Sequence, residues 1–223
     1  MNYSITDFGA MGDGKTLNTE AIQAAIEACT ASGGGRVTVP AGKFLSGTIQ
    51  LKSNADLHLE SGAELISSLD PADLPDLMGG FEDDNRDTGW EGGCFLLARH
   101  AEHVTISGSG RIDGRGREVF YEDDADGGSH ESPLKVRGFR PRMSFLEDVR
   151  GLTVKDVSFY DAAFWTLHMA GCLDEQPSRR GVYPFEVPMA YIRSGENIAI
   201  REGVRYRIDE SMRPYTRETF VVE

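Results

Sequence analysis

A short unit that keeps returning constrains this chain more than any other feature. It is a polar corner followed by two apolar residues with one residue between them. The pairs are Val37 and Val39, Ile49 and Leu51, Leu57 and Leu59, Phe95 and Leu97, Val104 and Ile106, Met143 and Phe145, Leu152 and Val154, Val157 and Phe159, and Ile198 and Ile200. Period-two alternation over so few residues is the pattern of a short strand with one face buried. Gly, Asn, Asp or Pro stands near many strand ends, as turns require. Segments 101–108, 148–155 and 194–201 read as variants of one unit. Helical intervals are too few for βαβ units, which leaves a sandwich, a barrel or a solenoid. The repeats favour the solenoid, an all-β parallel β-helix whose coils bury their inward side chains against one another.

One helix signal stands out, over residues 18–31. Leu17, Ile22, Ala25, Ile26 and Cys29 fall at helical spacing, so one face is apolar. Asn18 is placed to act as N-cap, Glu20 suits the first turn, and Gly33-Gly34-Gly35 ends the run. Such a helix is either an ordinary surface helix or a cap on the end of the stack. Residues 70–93 and 121–141 lack periodicity and read as long loops leaving the stack, where binding usually sits. The second begins with Glu122, Asp123, Asp124 and Asp126 and ends with Lys135, Arg137, Arg140 and Arg142.

The chain has 23 Lys and Arg against 36 Asp and Glu, a net charge of −13. That disfavours nucleic acid and anionic membrane surfaces as partners, and no apolar run is long enough to span a bilayer. A polyanionic ligand would have to be recruited by local basic residues. Cys29, Cys94 and Cys172 lack metal-site or CxxC spacing and read as reduced, buried residues. The first residues lack a basic-then-apolar signal pattern, so a cytoplasmic location is the expectation.

Five blocks, in order, resemble the polygalacturonase-like family 28 glycoside hydrolases. They are Asp7 to Ile26, Gly33 to Gly42, Leu57 to Ala63, Val104 to Gly116 with its Ile112-Asp113-Gly114 turn, and Pro141 to Cys172 with Phe164-Trp165-Thr166-Leu167-His168. The resemblance implies a right-handed parallel β-helix, a single domain over 1–223, whose N-terminal end is capped by the helix at 18–31. It also implies inverting hydrolysis of a galacturonan-type pectic chain, with no metal or other cofactor. Inversion needs a protonated carboxyl and a carboxylate roughly 6.5–9.5 Å apart. The family supplies its aspartates from an Asn-Thr-Asp motif and an Asp-Asp pair, followed by Gly-His-Gly and Arg-Ile-Lys. Asn-Thr-Asp, Gly-His-Gly and Arg-Ile-Lys are absent here, and Arg207-Ile208-Asp209 has the wrong third residue.

Asp-Asp occurs only upstream of the family position, at Asp83-Asp84 and Asp123-Asp124. These four are the candidate catalytic acids of a rebuilt site. Trp90 and Trp165 are candidate sugar platforms. Arg86 could hold a carboxylate in a bidentate grip, and His168 could hydrogen-bond a ligand. Trp165 and His168, three apart in one strand-like segment, are expected on opposite sides of it. Asp113 reads as a turn-former, and Arg213 and Arg217 could attract an anionic chain.

The sequence leaves the family pattern after Cys172, and Thr219 to Glu223 is strand-like with no polar cap. The expectation is a hydrolase truncated or shortened after 172, or a non-catalytic carbohydrate-binding or assembly module. An uncapped last coil implies a homo-oligomer or a partner chain covering it. A calcium-dependent lyase on the same scaffold is weaker, since no paired acidic ligands stand in the strands.

Overall fold

The computed structural model describes residues 1–77, 93–122, 134–136, 139–173, 190–196 and 220–222. Apart from Ile198 and Ile200, which lie outside the described residues, the apolar-x-apolar units lie in or beside strands that recur in three parallel sheets. The first coil opens with β1 (Asn2–Ser4) and β2 (Asp13–Leu17), then α1 (Thr19–Ala31). The next runs β3 (Gly35–Val39), β4 (Gly42–Ser46) and β5 (Ile49–Gln50). It is followed by β6 (Ala55–Leu59), β7 (Ala63–Ser67) and β8 (Cys94–Arg99), then β9 (Thr105–Gly108) and β10 (Arg111–Asp113). After a short helix α2 (Gly116–Val119) and two strands β11 (Phe120–Glu122) and β12 (Leu134–Val136) come β13 (Arg142–Glu147), β14 (Thr153–Lys155), β15 (Ser158–Tyr160) and β16 (Leu167–Leu173). β17 (Ala190–Glu196) and β18 (Phe220–Val222) complete the described strands.

Sheet A is β1-β3-β6-β9-β14, sheet B is β2-β4-β7-β10-β15, and sheet C is β5-β8-β13-β16-β17-β18. From β3 to β16 each coil visits A, then B, then C, and the chain climbs one strand per circuit. This is a parallel β-helix, right-handed as crossovers between parallel strands are.

Register stacks like on like. Tyr3, Val37, Leu57, Ile106 and Val154 are successive partners through sheet A. Phe44, Leu65, Ile112 and Phe159 do the same through sheet B. Val37, Leu57, Ile106, Val154, Phe44, Leu65 and Ile112 are buried, each contributing about 1.5–3 kcal/mol by leaving water. The alternation read from the sequence is therefore the inward face of a triangular tube.

α1 closes the tube's first end, as expected. Ile22, Ala25, Ile26 and Cys29 are buried in the core. Two details differ from the sequence reading. Leu17 is exposed, because it ends β2 instead of joining the helix. Asn18 precedes the helix and its carbonyl accepts from Ile22 N, but its side chain makes no capping bond. That side chain instead accepts from Met11 N and donates to Thr16 O and Leu45 O, tying the preceding loop to sheet B.

The helix also finishes sheet C. β5 is the edge strand, and Gln23 Oε1 accepts from Gln50 N at 2.9 Å while Gln23 Nε2 donates to Gln50 O at 3.2 Å. One side-chain amide thus stands in for the next strand's peptide group. Thr19 Oγ1 accepts from Gly47 N and Thr30 Oγ1 donates to Ser53 O, so neighbouring edge groups are satisfied too.

The opening block owes its composition to a tight loop. Asp13 accepts from Lys15 N, Thr16 N and Thr16 Oγ1. Those bonds, above all from the Thr16 and Lys15 amides, hold its carboxyl at about 2. The three cysteines are buried and unpaired with one another; burial pushes the thiols up, to about 12 for Cys94 and about 11 for Cys172.

Two further readings are corrected. The segment read as a loop over 121–141 contains an antiparallel ribbon, β11 against β12. The first two repeat units occupy one role, the corner from sheet C into sheet A and the strand after it. Of the third, residues 197–201 lie outside the described residues, and Ser194, Gly195 and Glu196 continue β17 alongside β16, with register shifts. Among the described residues no helix is long and apolar enough to cross a membrane.

Candidate functional site

The corner from sheet B to sheet C is where the coils differ. It spans residues 47–48 in the first full coil, then 68–93, 114–141 and 161–166. Both segments expected to leave the stack therefore depart from one corner in adjacent coils. The return of the first is visible at its start: Leu77 packs on Cys94, Leu97, Phe145 and Ala170, and Leu77 O accepts from Arg99 Nη1 at 3.0 Å. Leu97, Phe145 and His168 are successive register partners in sheet C, so this cluster covers the outward face of that sheet. Arg99 pairs with Glu147 beside it.

The last of these corners is short and aromatic. Phe164 and Trp165 stack with centroids 4.7 Å apart and planes 18° apart. Arg140 lies 4.1 Å over Phe164, and Arg142 lies 5.1 Å from Phe164 and 5.3 Å from Trp165. Arg140 Nε donates to Ala163 O at 2.7 Å. Arg142 Nε donates to His168 Nδ1 at 3.1 Å, which leaves the imidazole proton on Nε2. The His168 ring meets Trp165 edge-on at 4.4 Å and Phe145 at 4.9 Å.

Burial pulls both guanidinium groups down to about 10, and for Arg142 the Asp76 carboxylate works against that fall. Both stay cationic at neutral pH. Arg142 is buried with its Nε bonded to His168, so the partly exposed Arg140 is the cation that a ligand carboxylate would meet.

Trp165 and His168 do not lie on opposite sides. Trp165 sits in the corner before β16, so strand alternation does not govern it, and the two rings touch. His168 is fully buried and Trp165 partly exposed, which makes the histidine a floor beneath the surface. Asp83, Asp84, Arg86, Trp90, Asp123, Asp124, Arg213 and Arg217 lie outside the described residues. Among the described residues no three His, Cys, Asp or Glu side chains are grouped to hold a metal.

Asp113 forms a turn, as expected, with Oδ1 accepting from Arg115 N at 2.9 Å. Asp161, one coil on, bonds across the stack instead, its Oδ2 accepting from Arg117 N at 3.1 Å. Burial raises both carboxyls, and the Asp113 and Glu118 charges raise Asp161 further. Gly114 and Gly116 let these corners stack: a Cβ on Gly116 would come within 2.5 Å of Ala162 O. The Ile-Asp-Gly block is thus a device for packing one corner on the next.

The sequence reading did not find Asp76, Asp161 or the link from Arg142 to His168. No local pattern joins residues 26 positions apart; only the coil period does.

A separate groove of 520 Å³ lies between α1 and the start of the 68–93 segment, with Glu20, Glu27 and Asp73 but no Lys or Arg in its lining. Its charge is wrong for an anion.

Comparison with known proteins agrees with the topology. Residues 3–64 match a family described as rhamnogalacturonase A/epimerase, pectate lyase-like. An exo-poly-alpha-D-galacturonosidase of Dickeya chrysanthemi is 53% identical over 73 residues, 33% of this chain and 12% of the relative. A "Probable polygalacturonase" of Vitis vinifera is 29% identical over 172 residues, 74% of this chain and 33% of the relative. Among solved structures, a hyperthermoactive exopolygalacturonase from Thermotoga maritima aligns with a TM-score of 0.58 at 26% identity, covering 92% of this chain and 48% of that one. The chain is a pectin-lyase-like right-handed β-helix. Within that class its fold is like that of the exopolygalacturonase. It spans about a third or less of the length of these two curated relatives.

Proposed function

We propose that this chain binds galacturonan-type pectic polysaccharide at the outward face of sheet C and acts on it by inverting hydrolysis. The observation that carries the reading is the Arg140, Arg142, Phe164 and Trp165 assembly, on a fold like that of an exopolygalacturonase. It places the partly exposed Arg140 and Trp165 together beside that face, a cation and an aromatic ring suited to a uronate. Asp83, Asp84, Asp123 and Asp124 are our candidates for acid and base, since their segments are anchored at one corner in successive coils. Arg86 and Trp90 join Trp165 as candidate substrate contacts on the same ground.

The test is product analysis with polygalacturonate and rhamnogalacturonan. New reducing ends without ultraviolet absorbance support hydrolysis, and their loss in Asp84→Asn or Asp124→Asn would assign the acids. Absorbing, unsaturated products would make the chain a lyase. A folded sample that binds but releases nothing would leave a non-catalytic carbohydrate-binding module, the reading favoured by the absent Asn-Thr-Asp, Gly-His-Gly and Arg-Ile-Lys motifs.

A further inference from the structure

The outward face of sheet B carries charges in layers. Lys43, Glu64 and Arg111 are register neighbours on β4, β7 and β10, and Asp113 pairs with Tyr160 on β15. Glu64 is bonded to both Lys43 and Arg111, Arg111 also pairs with Asp113 at 3.3 Å, and Arg117 approaches Asp161 at 3.7 Å. The anions are the inner layer: Glu64, Asp113 and Asp161 side chains are 13%, 14% and 10% exposed. The cations are the outer one: Lys43, Arg111 and Arg117 are 64%, 43% and 62% exposed. Glu118, at the far end, is exposed but held by Arg115 through two bonds of 2.8 Å. At the centre stands Tyr160, one of few large exposed apolar side chains among the described residues, with Arg111 at 4.6 Å and Arg117 at 5.7 Å from its ring.

On a chain of net charge −13, solvent here meets mostly cations, with the exposed carboxylates of Asp13, the register neighbour of Lys43, and Glu118 at the margins. The buried carboxylates and the tyrosine ring hold the guanidinium groups in place, so little side-chain freedom remains to be lost on binding. Lys43 and Arg111 stand two strand spacings apart, about 9.5 Å, so a ligand that engages both must carry repeated anionic groups. The patch ends at Asp161, the first residue of the corner that holds Phe164 and Trp165.

We propose that Lys43, Arg111, Arg117 and Tyr160 form a secondary binding surface for a carboxylated polysaccharide, outside the sheet C site and leading to it. This rests on the pectic reading of the main site. The polymer's carboxylates meet the guanidinium groups, and a sugar ring lies against Tyr160. The surface recruits long chains, which span both sheets, and does little for short ones.

Calorimetric binding of polygalacturonate at low salt tests this, with fully methyl-esterified polymer as the uncharged control. The wild-type chain should bind the acid form, more weakly as salt rises, and the ester poorly. Arg117→Gln should weaken polymer binding about fivefold, the scale of one exposed charge contact. Arg117 is largely exposed, so this variant should keep the wild-type melting temperature; Tyr160→Ala should show a similar loss. Unchanged affinity in folded Arg117→Gln, equal binding of the ester, or no binding by the wild type would each overturn the proposal. Reducing-end release from oligogalacturonates by the wild type decides the main site separately: release with unchanged Arg117→Gln affinity sinks only the secondary surface.

Discussion

Two corners of the same triangular coil behave in opposite ways. From sheet C to sheet A the chain turns through residues 51–54, 100–104 and 148–152, nearly the same length each time. Left-handed residues recur there, Asn54 at φ 61°, His103 at 54° and Gly151 at 70°. Each turn is bonded to the next, Asn54 N to Glu102 O and His103 N to Arg150 O. From sheet B to sheet C the lengths range from residues 47–48 to 114–141, and arginines, aromatics and raised carboxyls gather. One corner copies itself to fix the register of the stack. The other is released from that duty, and chemistry collects on it.

If that division is right, the largest loss should come from the copied side. Ile106 is fully buried between Leu57 and Val154 in the sheet A row. Ile106→Ala should lower unfolding free energy by about 2–5 kcal/mol in urea titration. A loss below about 1 kcal/mol would mean that the row is not the scaffold.

The other corner should break more locally. In Gly116→Ala the new methyl would press on Ala162 O, forcing the two corners apart at about 1–3 kcal/mol. Hydrogen exchange should quicken around 114–119 and 161–166 while the copied turns stay protected. Equal loosening everywhere would erase the distinction between corners.

At the capped end, Gln23→Ala should uncover the β5 edge. The lost pair of bonds to Gln50 costs about 1–2 kcal/mol, and an open edge invites association. Light scattering of the variant should show larger particles with rising concentration.

The legible parts of this molecule were those written in local pattern. Alternating pairs such as Leu57 and Leu59 marked strands, and Ile22, Ala25, Ile26 and Cys29 marked the helix and its buried face. Asn18 misled because it has capping chemistry, yet its amide is spent on Met11, Thr16 and Leu45. Trp165 misled because strand alternation begins only at Leu167, two residues after it. Trp165 and His168 were legible as candidates, but the contacts that assemble the site were not. Arg142 meets His168, and Arg117 meets Asp161, only because one full coil of chain returns each to its partner. The length of that coil depends on the segments at the variable corner, which sequence periodicity does not measure.

Asp161 sharpens the comparison through pH. Burial raises its carboxyl above the ordinary range, and nearby Asp113 and Glu118 add to the rise. The folded state thus holds the proton more tightly than the unfolded one. The stability this contributes is fully present below the unfolded value of about 3.9 and is lost as pH rises through the folded value. Asp161→Asn keeps an acceptor for Arg117 N and tolerates φ 52°. It should flatten this fall, so that variant and wild-type melting temperatures differ most near neutral pH, with the variant higher. A steeper fall in the variant would show that the Arg117 pair outweighs burial.

The smallest effect belongs to the copied corner's surface. His100 and Asp148 pair at 3.1 Å, but both side chains are more than half exposed, so water and salt screen them. Both residues sit at φ 49°, which Asn adopts as readily as Asp. Asp148→Asn removes the charge and keeps the turn, so the change in stability should be within about 0.5 kcal/mol at any pH. A larger loss would mean that this corner holds its register through side-chain charge as well as backbone bonds, and the contrast with the arginine-rich corner would narrow accordingly.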